Sequence, residues 1–373
     1  MSLNHARLSV IVPTYNYAHF LPACLDSVLS QGITELELIV VDDGSCDDTA
    51  AVVARYQTVR YLTQTNQGLS AARNTGLRHS SGDYILFLDA DDLLGRYSLA
   101  ARLAFQSATG ARLSVCRNRQ FHSLDADGQP RSGPRWYLPP GDLGVRLLHF
   151  NLAPPHAWLM HRQVCEDVGE FDTSLRACED YDYWLRALAC GYEPYYCPAG
   201  EVLYRKHRAS MSADFNKQWR HDQILHGRVL DALLLTHAIA PRAPGCALLA
   251  AYAGAFTTLV RLASSAHEDY GTLLARLSNS IDQLPARIAH GTLHNTLLSD
   301  FYALTLIDAC AAASQHDDAA KACAQRVVSA LQTRGALPEP SRVGILLRLL
   351  SARNTPLVDR YRVARLLLRR MRA

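Results

Sequence analysis

Six short polar clusters in this 373-residue chain have residue types that could do chemistry. They are Pro13-Thr14-Tyr15-Asn16, Asp42-Asp43-Gly44-Ser45, Arg73-Asn74, Asp89-Ala90-Asp91-Asp92, Glu179-Asp180, and the basic run Tyr204-Arg205-Lys206-His207-Arg208. Grouped carboxylates can hold a hard cation or accept a proton, and basic side chains can meet anions. Each cluster also has a plain structural reading. Asp-Gly and Asp-Asp end strands in turns, Ser45 or Asp47 suits a helix cap, Glu179 and Asp180 suit the positive end of a helix, and a basic loop suits solvent. What separates the two readings is whether the fold gathers the clusters in one place.

The elements that must position them are legible. Residues 8–13, 36–43, 59–62 and 84–91 are aliphatic or β-branched runs, separated by helical patterns at 19–30, 47–56 and 69–79. That alternation predicts a parallel α/β sheet. In open sheets of this kind ligands bind outside the carboxyl ends of the strands, where loops and helix N-termini converge, and the first clusters lie at or near such ends. Shorter mixed elements follow from 112 to 205, with a helix expected at 179–190 and a strand at 201–205. Beyond about 213 the pattern is helical only, broken at Pro241, Pro244, Pro285, Pro338 and Pro340. The expected division is 1–215, with halves 1–92 and 93–215, followed by an all-α region at 216–373. No internal repeat is evident.

Taken together, the clusters resemble glycosyltransferase family 2, in its inverting, non-processive bacterial form, over about residues 8–210. The resemblance implies the GT-A fold, a mixed and mainly parallel α/β sheet. It also implies a nucleotide-diphosphate sugar as donor and a glycan or lipid-linked glycan hydroxyl as acceptor. On that pattern Pro13, Thr14 and Tyr15 cradle the base, with Tyr15 stacking on it. Asp42 accepts the base N3 hydrogen bond, Arg73 approaches the base and diphosphate, and Asp89 reaches the ribose or a metal-bound water. Uridine is the first expectation for the base and thymidine the second. Asp91 ligates Mn2+ or Mg2+ with Asp89, and His207 completes the metal shell. Arg205, Lys206 and Arg208 are implied as diphosphate contacts.

The physical need for the cation is clear: a diphosphate is densely anionic, so carboxylates hold it only through a hard ion. The Glu179-Asp180 pair, preceded by 168–172, resembles the acceptor half of the family, so Asp180 is carried over as general base and Glu179 as its partner. A base is needed because an acceptor hydroxyl is a poor nucleophile until its proton is accepted. Trp158 and Trp184 read as core or acceptor-wall aromatics.

Some classes are disfavoured. After the first strand the chain reads PTYNYAHF rather than a glycine-rich basic loop or Gly-x-Gly-x-x-Gly, which argues against a nucleotidyltransferase or a dinucleotide enzyme. The glutamine-arginine-tryptophan signature of processive synthases is not present. An inactive nucleotide-sugar-binding protein is disfavoured because Asp89, Asp91 and Asp180 are all there.

Composition sets the remaining bounds. With 49% hydrophobic and 20% charged residues the chain is a folded globular protein, and 373 residues exceed one ordinary core. Ten scattered cysteines without a Cys-x-x-Cys pair read as reduced core thiols, and no signal peptide is evident, so a cytoplasmic location is expected. The run 243–260 reads as a buried helix, being too short and too rich in Ala, Gly and Thr to span a membrane. Residues 341–373 hold nine Arg and one Asp, a local +8 against +3 for the whole chain. This basic amphipathic segment either lies on the inner face of an anionic membrane or packs with its arginines outward, and no nucleic-acid motif accompanies it.

Overall fold

Strands β1 (Leu8–Thr14), β2 (Leu36–Asp42), β3 (Val59–Thr63) and β4 (Tyr84–Phe87) form from the aliphatic runs. β1 is buried along its whole length, as a strand covered on both faces must be. The computed structural model describes residues 7–125, 130–136, 143–207, 210, 215–236, 244–265, 268–282 and 297–333.

The sheet runs β3-β2-β1-β4-β8-β6-β9-β5, with β7 paired to β6. The added strands are β5 (Leu93–Leu94), β6 (Leu113–Leu124), β7 (Pro130–Trp136), β8 (Trp158–His161) and β9 (Tyr195–Arg205). β1 to β4 are mutually parallel, β8 joins β4 and β6 antiparallel, and β6 and β9 are parallel. The result is a mixed sheet flanked by helices. Those of the parallel half are α1 (Leu21–Leu29), with proline in its first turn where no amide donor is needed, α2 (Thr49–Val53) and α3 (Leu69–His79). Further along lie α4 (Ser98–Thr109), α6 (Arg162–Val168) and α7 (Glu179–Ala189), the last two on either side of a loop that carries Phe171.

α3 packs so closely on β1 that a Cβ at Gly76 would lie 2.2 Å from Ile11 Cγ2. This fixes the height of α3 above the sheet and with it the position of Arg73, one turn earlier.

The chain divides into two compact units: Met1–Leu138 with Leu152–Ala213, and Pro139–Asn151 with Asp214–Ala373. The second unit contains, among its described residues, α5 (Leu143–Leu147), α8 (Phe215–Thr236), α9 (Pro244–Ser264), α10 (Tyr270–Asp282), α11 (Leu297–Ala313) and α12 (Asp318–Thr333). α9 packs against α8, α10 and α11, and buries Leu249, Tyr252, Phe256 and Leu259. It is the buried helix expected at 243–260. No helix among the described residues is long and apolar enough to cross a membrane. The basic segment 341–373 lies outside the described residues.

Three local expectations are corrected. β4 stops at Phe87 rather than Asp91, because the acidic residues form a turn closed by Asp92 N donating to Asp89 O at 3.0 Å. α2 does not begin at Asp47, whose carboxylate is occupied by Ala18 N and by the amide and hydroxyl of Thr49. Cys46 and Cys190 are exposed, whereas Cys24, Cys116, Cys165, Cys178, Cys197, Cys310 and Cys323 are buried.

Candidate functional site

The loops after β1 and β2 are stitched together by short hydrogen bonds. Thr14 O accepts Asp43 N at 2.9 Å, Asn16 N donates to Ser45 Oγ at 2.9 Å, and Asn16 Oδ1 accepts Cys46 N at 2.8 Å. Asn16 has φ of +58°, a left-handed conformation that asparagine tolerates better than most residues. Pro13 and Thr14 are buried at the end of β1, while Tyr15 is 47% exposed and presents its ring to solvent. Asp42 is buried and accepts Ser45 N at 2.7 Å and the Tyr61 hydroxyl at 2.5 Å. Burial, reinforced by Asp42, holds the Tyr61 phenol protonated well above its ordinary range. Asp43 braces the next loop by accepting Gln67 N, Gly68 N and Gln64 Nε2 at 2.7 to 2.9 Å.

Between β4 and β5 the acidic turn sends its carboxylates in different directions. Asp91 Oδ2 lies 2.8 Å from His207 Nε2, the two side chains being 12% and 17% exposed. Burial and then the charge of Asp89 push the Asp91 carboxyl above its usual range, opposed by the His207 hydrogen bond. Around His207 stand Tyr17 and Phe20, with ring centroids at 5.9 and 4.9 Å. The Tyr17 phenol is pushed up to about 12 by burial and by Asp91, Asp89 and Asp92. Arg205, at the end of β9, donates Nε to Asp91 O at 2.7 Å, and its guanidinium carbon sits 4.7 and 4.4 Å from the Phe20 and Phe121 ring centroids. It therefore braces the acidic turn. Lys206 Nζ lies 4.3 Å from the Tyr204 ring centroid, and Arg208 is outside the described residues.

Arg73 ties distant parts of the chain together. Its guanidinium is buried, donating Nη2 to Asp89 Oδ1 at 2.7 Å and Nη1 to Glu179 Oε1 at 2.6 Å. Burial would lower its pKa, but Asp89, Glu179 and Asp180 more than offset that and hold it above the ordinary arginine value. Asp180 is thereby within electrostatic reach of the same group. Next to Arg73, Asn74 exchanges two hydrogen bonds with the backbone of Phe171, at 2.9 and 2.8 Å. α7 begins immediately after Cys178, at φ +58°, with Glu179, Asp180 and Asp182 in its first turn, where the helix end favours negative charge.

The structure thus brings Arg73, Asp89, Glu179 and Asp180 together, and brings Asp91 to His207. Spacing did not single out Tyr61, Tyr17, Phe20, Arg102 or His156. His156, fully buried in the 3-10 turn Pro155–Ala157, comes with Asp89 and Asp92 to form a group whose ligand atoms lie within 4.8 Å of one another. Burial lowers its pKa to about 4. Trp158 and Trp184 stack at 4.5 Å in the core.

Residues 9–169 match the family model described as glycosyl transferase family 2. Chondroitin synthase of Escherichia coli is 30% identical over 192 residues, covering 49% of this chain and 27% of that protein. The uncharacterized glycosyltransferase EpsJ of Bacillus subtilis is 29% identical over 228 residues, 55% of this chain and 62% of EpsJ. Glycosyltransferase GlyA of Streptococcus pneumoniae is 43% identical over 90 residues, 23% of this chain and 13% of GlyA. The alignments therefore span less than two thirds of these relatives. Among solved structures, the S. aureus TarS fragment 1-349 has the same fold, with a TM-score of 0.58 at 18% identity over 87% of this chain and 91% of that one.

Proposed function

We propose that this chain, whose residues 9–169 match the glycosyl transferase family 2 model, transfers a sugar from a nucleotide diphosphate to an acceptor hydroxyl with inversion. The observation that carries this reading is the convergence of Asp91 with His207 beside the Arg73 bridge between Asp89 and Glu179. Uracil is the preferred base: the TarS fragment has been crystallised with UDP and with UDP-GlcNAc, and the exposed Tyr15 ring beside Asp42 suits a flat base with an N–H donor. Thymine offers the same donor.

A divalent cation fits the residues present. Asp91 and His207 place one oxygen and one nitrogen 2.8 Å apart in a position that still reaches solvent, so a diphosphate can supply further ligands. Mn2+ or Mg2+ held there would stabilise charge as it builds on the departing diphosphate. Asp89 adds a second carboxylate on the same turn. Asp92 and His156 are less suitable ligands for that ion because both are fully buried.

Within this frame Asp180 is the general base, accepting the acceptor proton during attack from the side opposite the diphosphate. Glu179 is occupied by Arg73, so its part is to hold the first turn of α7 against the donor half. The acceptor is a glycan or lipid-linked glycan hydroxyl, with 341–373 as a candidate membrane contact at the inner face.

Calorimetry with UDP, with and without Mn2+, tests the donor site. Metal-dependent binding that is lost in Asp91→Asn is expected. Failure with UDP, dTDP and GDP alike, with and without metal, would overturn the reading.

A further inference from the structure

Behind the acidic turn lies a polar pair that the proposed chemistry does not use. Asp92 and His156 are both completely buried, with Asp92 Oδ2 3.2 Å from His156 Nδ1, a close polar contact rather than a hydrogen bond: neither of these atoms, nor His156 Nε2, has a hydrogen-bond partner. The other Asp92 oxygen accepts Arg205 N at 2.6 Å, linking the turn to the end of β9 just before His207. His156 is held in turn from behind. Arg102 of α4 donates to His156 O at 3.0 Å and to Ala157 O at 2.9 Å, and it is itself fully buried. Residue 200 must be glycine for this guanidinium stem to pass, since a Cβ there would lie 2.6 Å from Arg102 Cγ.

These contacts form one line, from α4 through the 3-10 turn to Asp92 and the backbone beside the candidate cation ligands. Burying a carboxyl and an imidazole is costly without good partners, so a site that keeps both needs a reason beyond filling space. A second cation between Asp89, Asp92 and His156 is one candidate. Against it, Asp89 Oδ1 is engaged by Arg73, Asp92 already accepts the Arg205 amide, and the two buried side chains leave no open face for water ligands.

We propose that His156 is a positioning residue: through Asp92 it sets the orientation of the acidic turn, and thereby how tightly Asp91 and His207 hold the divalent cation. This rests on the reading that Asp91 and His207 bind such an ion. The imidazole acts here by packing closely against the carboxyl, in the place where outer partners of metal ligands typically shift affinity by about 10–100-fold.

Mn2+ binding to the purified full chain, followed by the loss of the free-ion paramagnetic resonance signal, tests it on the wild type, Asp91→Asn, His156→Asn and His156→Leu. One equivalent of Mn2+ is expected in the wild type and none in Asp91→Asn. His156→Asn keeps a polar group against Asp92 and should stay within about threefold of wild type, whereas His156→Leu should retain one site weakened about tenfold or more.

If His156→Leu folds and binds Mn2+ as tightly as wild type, the positioning role is wrong while the cation reading stands. Two equivalents in the wild type with one lost in His156→Leu would make His156 a ligand and also overturn it. No Mn2+ binding by the wild type would end the cation reading and this inference together. Should His156→Leu fail to fold, Arg102→Lys carries the test. Lysine reaches one of the two carbonyls, so weakened Mn2+ binding supports the line of support and unchanged binding refutes it.

Discussion

Asp89 and Glu179 come from opposite halves of the sheet unit, and the two hydrogen bonds of Arg73 hold them together at 2.6 and 2.7 Å. Breaking such a buried arrangement by removing one partner leaves uncompensated charge and typically costs about 3–5 kcal/mol. Asp180, one residue on, adds its charge to those acting on Arg73 and is the carboxylate proposed as base. Asp180→Asn should therefore leave UDP affinity within about twofold while cutting turnover by roughly 10²–10⁴, the usual contribution of a general base. Transfer assays beside calorimetry on the same preparation check this, and a variant with most of its turnover would place the base elsewhere. At this scale the family resemblance marked Asp91, His207 and Arg73 as candidates, but nothing in PPHAWL marks His156, because its partners lie far off in sequence.

Among the elements, α3 carries the heaviest positional demand. Gly76 lets it lie against Ile11 of β1, and Asn74 pins Phe171 in the loop before α7, so the helix sets both ends of the Arg73 bridge. Gly76→Ala gains helix propensity, worth about 1 kcal/mol, but its Cβ would meet Ile11 Cγ2 at 2.2 Å. Overpacking of this kind costs about 1–3 kcal/mol, so the net effect expected is a lower urea midpoint together with weaker donor binding. In an Ile11→Ala background, which lacks Cγ2, Gly76→Ala should cost less of the midpoint; absence of any loss in Gly76→Ala alone would show that α3 can shift without consequence. The boundaries of α3 follow directly from the residues 69–79, since a glycine precedes it and its apolar face is local. The end of β4 does not, because the turn that stops it is closed by Asp92 and anchored by Arg205 from β9.

For the molecule as a whole, each unit has its own buried titratable group and hence its own response to acid. In the helical unit His226 of α8 is buried, and burial, then His149 and Arg261, depress its pKa to about 3. A histidine depressed in the folded state is protonated first in the unfolded chain. Its stabilising contribution is present above about pH 6.5 and is lost as pH falls toward 3, at up to about 1.4 kcal/mol per pH unit. Urea unfolding of α-helical signal at pH 7 and pH 5 should show a smaller drop for His226→Gln than for wild type. An equal drop in both would assign the acid sensitivity to other groups.

The alternation of aliphatic runs and helical patterns determined the parallel half of the sheet, because a strand buried on both faces and the helix that follows it are written in consecutive residues. The same locality placed Tyr15, Asp42 and the acidic turn along one edge, since parallel strands end together. Tertiary structure alone decided which side chains meet. Arg73 spends its guanidinium on Asp89 and Glu179, Arg205 is enclosed by Phe20 and Phe121 rather than left to solvent, and the described residues 143–151 join the helical unit although they lie between strands of the sheet. Each of those outcomes depends on burial and on partners remote along the chain, and charge pairing over such separations is chosen by packing, which periodicity does not record.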